Sequence, residues 1–135
     1  MNNKHLENDV MEDMAKSKMH FFDKQLAKKY GVDEAIMLNH LIYWIATNNM
    51  NGKNRHDKRT WTYNSINAFI QYMPYWSEAQ IRRVLNSLEK QEVIISGNFN
   101  KHKYDRTKWY ALNDEEYFMK KYNPVDRMNK WSRRY

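Results

Sequence analysis

The stretch Trp61-Thr62-Tyr63-Asn64-Ser65-Ile66-Asn67-Ala68-Phe69-Ile70-Gln71-Tyr72-Met73-Pro74-Tyr75-Trp76-Ser77-Glu78-Ala79-Gln80-Ile81-Arg82-Arg83-Val84-Leu85-Asn86-Ser87-Leu88-Glu89-Lys90 decides the fold. Ile66, Phe69, Ile70 and Met73 recur at i, i+3, i+4 and i+7, which puts one apolar stripe on a helix. Pro74-Tyr75-Trp76 interrupts it, because proline lacks the next helical donor and disfavours α at the residue before it. Ser77 reopens a helix, and Ser77-Glu78-Ala79-Gln80 fits a capping box. Ile81, Val84, Leu85 and Leu88 then repeat the apolar spacing. Two short amphipathic helices with so little between them must cross steeply over a shared core. That is the helix-turn-helix arrangement, whose second helix offers its outer face to the DNA major groove.

At about 100° per residue, the direction opposite the Ile81/Leu85/Leu88 stripe holds Ala79, Arg83, Asn86 and Lys90, with Arg82 and Ser87 on its flanks. Arginine can bond both acceptors of a guanine edge and asparagine can do the same for adenine. Arg83 and Asn86 are therefore the expected base readers, with Ser77, Gln80, Arg82 and Lys90 nearer phosphate. The plainer reading is a solvated charged face. Against it, Glu78 and Glu89 alone are acidic between Ser77 and Lys90. Beyond Lys90 the pattern changes from helix to strand. Val93 to Phe99 is rich in β-branched residues, and Thr107 to Leu112 is its natural partner. The loop Asn100-Lys101-His102-Lys103-Tyr104-Asp105-Arg106 joins them. A hairpin after the second helix is the wing of a winged helix-turn-helix. Lys101, His102, Lys103 and Arg106 are expected on the phosphate backbone or in the minor groove. Asp105 is expected to act structurally, accepting from the loop backbone or pairing with Arg106. Trp61-Thr62-Tyr63 reads as a third short strand, and Asn64 or Ser65 as the cap of the helix that follows.

The segments Trp61-Thr62-Tyr63-Asn64-Ser65-Ile66, Gln80-Ile81-Arg82-Arg83-Val84-Leu85 and Tyr104-Asp105-Arg106-Thr107-Lys108-Trp109-Tyr110-Ala111-Leu112 carry a family likeness. They resemble the winged-helix DNA-binding domains of phage and prophage proteins of low-GC bacteria, the replication-initiation or replisome-organiser proteins. The likeness runs from Phe21 to Leu112 and takes in Ala27-Lys28-Lys29-Tyr30-Gly31-Val32-Asp33-Glu34-Ala35. It implies double-stranded DNA binding through Gln80 to Lys90 and the wing, in phage replication or regulation. The longer initiators carry a second domain that engages a helicase or its loader. Here only a short helix and a basic tail are expected after the wing.

A chain of 135 residues suits one domain with a modest core. Its net charge of +7 favours an anionic partner. The charge is uneven: Glu7, Asp9, Glu12 and Asp13 outweigh Lys4 at the start, while Lys120, Lys121, Arg127, Lys130, Arg133 and Arg134 outweigh Asp126 at the end. Leu6, Val10 and Met14 fall on one side of a helix over residues 5–18, which reads equally well as a tail that docks on a partner subunit. Phe22 to Tyr30 reads as a short helix stopped at Gly31. Asp33 to Thr47 is the strongest helix, with Leu38, Leu41, Ile42 and Ile45 as its core stripe. Ile36, Met37, Tyr43 and Trp44 widen its apolar surface, to be covered by the terminal segments or by a second subunit. Residues 48–58 read as a mobile polar loop whose Lys53, Arg55 and Lys58 can touch phosphate. Asp114 to Lys121 reads as a last helix, and residues 125–135 as a tail disordered when free.

No membrane partner is expected, because no apolar run approaches the ~20 residues of a span, and there is no signal-peptide core. With no cysteine either, a cytoplasmic location is expected, and the family likeness implies a bacterial host cell. His5, His20, His40, His56 and His102 show no ligand spacing, so no metal or other cofactor is expected. His40 is expected to pack in the long helix with a hydrogen bond. Gly31, Gly52 and Gly97 cannot build a phosphate loop. No constellation of catalytic groups surrounds any of the tyrosines, so the chain is not expected to be an enzyme.

The overall expectation is an α+β, mainly helical chain. It divides into an N-terminal helical extension or tail over 1–20, a winged helix-turn-helix domain over 21–113, and a C-terminal helix with a basic tail over 114–135. A homodimer is expected, since one small domain reads too few base pairs for high specificity. The competing reading is a phage-encoded winged-helix module that binds and inhibits a host replication or defence protein. Tyr75 and Trp76 discriminate the two: buried, they favour DNA, and exposed, they favour a protein surface.

Overall fold

The computed structural model of the chain describes residues 19–122. The helix expected over 5–18 and the basic tail lie outside them. The order of elements is α1 (Lys24–Tyr30), α2 (Val32–Met50), β1 (Arg55–His56), β2 (Arg59–Tyr63), α3 (Ile66–Tyr72), α4 (Glu78–Lys90), β3 (Ile94–Gly97), β4 (Trp109–Leu112) and α5 (Glu115–Tyr122). The strands form one antiparallel sheet in the order β1-β2-β4-β3. This is an α+β architecture of winged helix-turn-helix type, with α3 and α4 as the helix pair and β3–β4 as the wing.

Local chemistry sets the helix ends. The Asp23 carboxylate accepts from the Gln25 and Leu26 amides at 2.7 and 3.1 Å, so α1 begins two residues later than its apolar pattern suggested. Gly31 sits at φ 118°, closed to most side chains, and separates α1 from α2. Ser65 accepts from the Ala68 amide to start α3. Ser77 and Gln80 form the reciprocal capping box of α4 at 3.2 and 2.9 Å. After α4 the Glu92 amide donates to the Glu89 carbonyl and the Val93 amide to the Leu88 carbonyl, a Schellman closure. Its left-handed position is held by Glu92 at φ 61°, where glycine is the usual occupant. Glu92→Gly should therefore stabilise the fold by up to about 1 kcal/mol, strain relief outweighing lost chain stiffness. A urea titration that shows a loss would refute that assignment of strain.

The core lies between α2 and everything packed around it. Leu38, Leu41 and Ile45 are fully buried and Ile42 nearly so, beside Phe69, Met73, Ile81, Val84, Leu85 and Leu88 from the helix pair and Ile94, Tyr110 and Leu112 from the sheet. Met37, expected on a widened surface, is a core residue, while Ile36, Tyr43 and Trp44 are half-buried. α5 covers part of α2 through Phe118 and Tyr122.

Two features depart from the expected picture. Residues 48–58 are not a plain loop, because β1 and β2 pair across Asp57-Lys58, both left-handed at φ 52° and 64°. That is the two-residue hairpin geometry whose twist matches the strands. Arg55 lies within it and is committed to the protein, bonding Thr60 Oγ1 at 3.0 Å and the Glu115 carboxylate at 3.1 Å. The sheet also has two apolar faces. Tyr110 and Leu112 point to the main core, while Trp61, Trp109 and Ala111 form a second cluster with Ile95 and Phe99 on the other side. Gly97 makes this possible, since a Cβ there would come within 3.1 Å of the Trp61 and Phe99 rings.

Candidate nucleic-acid interface

The buried stripe of α4 turns its opposite face to solvent. Ser77, Ala79, Gln80, Arg82, Arg83, Asn86 and Lys90 are exposed, and Ser87 is half-buried. Their side chains are not equally disposed. Ser77 and Gln80 are engaged in the capping box. The Arg82 guanidinium bonds the Glu78 carboxylate one turn back at 2.9 Å, and Arg83 reaches the Asp33 carboxylate at the start of α2 at 3.2 Å. Ser87 Oγ accepts from the Gln91 amide, which also donates to the Tyr30 carbonyl, so it serves the joint between α1 and α4. Both arginine pairs are solvent-exposed, and such pairs contribute about 0–1 kcal/mol. A bidentate guanine contact discriminates by about 1–3 kcal/mol, so exchanging the carboxylate for a base edge is energetically open to Arg83.

The wing loop is held from within. Asn100 is its hub: its amide group donates to the Asp105 and Thr107 carbonyls at 3.0 and 2.8 Å, and its oxygen accepts from Trp109 Nε1 at 2.7 Å. Asp105 accepts from the Thr107 amide at 3.0 Å, and bonds from Thr107 hold its carboxyl below the usual carboxylate range. It therefore acts through the loop backbone rather than through Arg106. Lys101, His102, Lys103 and Arg106 are exposed, and the His102 ring stacks on that of Tyr104 at 5.3 Å. The loop thus presents cations on a backbone fixed by its own amide and carboxylate groups.

The residues at the turn divide. Trp76 is 7% exposed and belongs to the core, whereas Tyr75 is 51% exposed. The Tyr75 hydroxyl lies 2.7 Å from His20 Nδ1, and its pKa is raised first by burial and then by the Asp33 charge. Exposed Phe21 and Phe22 belong to the same N-terminal stretch as His20.

His40 packs against Phe69, Tyr72 and Trp44 with ring centroids 4.9 to 6.3 Å apart. Its Nε2 is buried without a hydrogen-bond partner among the described residues, contrary to the hydrogen bond expected of it. Burial, aided by the nearby His20, pushes the imidazole down to about 4. No cluster of metal-ligating side chains occurs among the described residues, and no helix there is long and apolar enough to cross a membrane.

Sequence reasoning missed Asp33 as the partner of Arg83, and Asn100 and Trp109 as the base of the wing. The second pair was accessible: Trp61/Tyr63 and Trp109/Ala111 alternate with the core-facing residues of their strands, which marks a sheet apolar on both faces. Comparison with protein-family models, with curated proteins and with solved structures finds no match to this chain.

Proposed function

We propose that the chain is a sequence-specific double-stranded DNA-binding protein of phage or prophage origin, acting in replication initiation or transcriptional regulation. α4 enters the major groove, and the wing loop 100–106 lies on the backbone. The observation that carries this reading is the outer face of α4, where Ala79, Arg83, Asn86 and Lys90 are exposed over a buried Ile81/Val84/Leu85/Leu88 stripe. The family likeness noted in Trp61–Ile66, Gln80–Leu85 and Tyr104–Leu112 supports it, as does the net charge of +7. In this reading the protein acts as a homodimer in the bacterial cytoplasm, without a cofactor and without catalysis.

Capture of fragmented genomic DNA followed by sequencing tests the proposal, and enrichment of no sequence would defeat it. On the site so found, Arg83→Ala should cost about 1–3 kcal/mol and relax base preference. An equal loss on random DNA would reduce Arg83 to a phosphate contact. Neutralising Lys101 and Lys103 together should weaken all sequences alike and flatten the salt dependence by roughly 0.9 log units per phosphate lost. An unchanged salt slope would remove the wing from the backbone.

A second reading rests on exposed Tyr75, Phe21 and Phe22, apolar rings suited to a protein partner such as a host replication or defence protein. Tyr75→Ser that leaves DNA binding intact but abolishes capture of such a partner would favour it.

A further inference from the structure

α2 carries a second stripe beside its core stripe. Ile36, Asn39, His40, Tyr43, Trp44 and Asn48 recur at i, i+3, i+4, i+7, i+8 and i+12, and all are half-buried. Three hollows follow this stripe along the joint with α3, and Tyr72 lines every one of them. The first, about 470 Å³, lies at Ile36 and is bordered by His20, Phe22, Pro74 and Tyr75. The second, about 40 Å³, lies at His40, Tyr43 and Trp44. The third, about 380 Å³, lies at Trp44 and Asn48, with Lys53 beside them. They make one groove, since the first two share His20 and Ile36 and the last two share Trp44. None of the described residues that line it is acidic.

The chain itself enters this groove at the Ile36 end. His20 lines the first two hollows, and its Nδ1 lies 2.7 Å from the Tyr75 hydroxyl. Residues 1–18, outside the described structure, join the domain at that point. We infer that residues 5–18 seat in the groove of their own chain as a helix, with Leu6, Val10 and Met14 turned onto the α2 stripe. An apolar helix face laid in a groove is a recurrent mode of recognition. The lengths agree, because Ile36 to Asn48 spans about 18 Å and a helix from Lys18 back to Leu6 spans the same. That course brings Glu7 and Asp9 to the Lys53 end. Lys16 and Lys18 fall at the other end, where the Asp33 charge acts on Tyr75. The C-terminal residues suit the groove less, since Arg127, Lys130, Arg133 and Arg134 carry the same sign as Lys53. The inference does not rest on the DNA-binding reading.

The test uses the full chain, which has no cysteine, so Asn8→Cys gives a single point for a nitroxide. Asn8 falls opposite Leu6 and Val10 on a helix, on the solvent side of the seated segment. Two signals of 15N-labelled protein are followed, with the reduced nitroxide as reference: the Lys53 amide, and the Trp44 indole N–H identified by its loss in Trp44→Phe. In one mixture the 15N chain carries the nitroxide and is diluted into unlabelled wild-type chain. In the other the 15N chain is wild type and the unlabelled chain carries the nitroxide.

Strong broadening of both signals is expected in the first mixture and none in the second. Val10→Asp in the nitroxide chain should abolish it, because an apolar groove does not hold a carboxylate without a partner. Val10→Ile should keep it. The remaining amide signals should stay in place in Val10→Asp, which separates loss of the seat from loss of the fold. Broadening confined to residues beside Met19, or indifferent to Val10→Asp, overturns the inference. Broadening at Trp44 in the second mixture gives the groove to a second copy of the chain and overturns it as well.

Discussion

Lowering the pH from 7 to 5 should destabilise the wild-type protein by about 2 kcal/mol more than it destabilises His40→Phe. The His40 imidazole titrates near 4 in the fold against 6.5 in the unfolded chain, because its ring is buried among Phe69, Tyr72 and Trp44, with Nε2 unpartnered among the described residues. Between those values the unfolded chain takes up a proton that the native protein refuses, so stability falls as pH drops through 6.5. The loss is about 3 kcal/mol at pH 4 and approaches its limit of about 3.4 kcal/mol only below that. Carboxylates also titrate in this range, which is why the comparison is with a variant and not with neutral pH alone. Phenylalanine keeps a planar ring and removes the titrating group. Parallel stability–pH curves for the two proteins, from urea unfolding at each pH, would show that His40 is solvated.

Trp109→Ala should cost about 3–5 kcal/mol, a large part of the stability of a domain this size. The ring is 7% exposed, sits between Tyr63 and Phe99, and holds Asn100 by its indole N–H. Its removal opens a cavity and cuts the tether on which the wing loop is built. Amide exchange should then quicken across residues 98–108 before it does so in α4, whose stripe packs on the other core. A loss below about 1 kcal/mol would mean that the outer cluster relaxes into the space and is not a second core.

The helix pair was legible because its signals are local. Proline at 74, the Ser77–Gln80 box and the i, i+3, i+4 repeat each act within a turn of chain, and all are found where the spacing puts them. The turn itself was not legible. Tyr75 and Trp76 are adjacent in the chain yet one is exposed and the other buried, since a turn has no period that assigns faces. The β1–β2 hairpin escaped because Asp57-Lys58 lacks the glycine that usually marks left-handed pairs. The commitments of Arg55 to Glu115 and Arg83 to Asp33 span sixty and fifty positions, and no spacing rule reaches so far. On α4, the exposure of Arg83 and Asn86 followed from the period, but the direction Arg83 takes did not.

The capping box sets a limit on how α4 can be re-engineered. Ser77 and Gln80 face solvent and look as replaceable as their neighbours, yet their side chains close the first turn of the helix on each other. A library that randomises every exposed position of α4 would cost most of its members about 0.5–2 kcal/mol for want of that cap, mixing stability with recognition. Varying Ala79, Arg83 and Asn86 alone keeps the scaffold constant, so that any change in selectivity reports recognition and not unfolding.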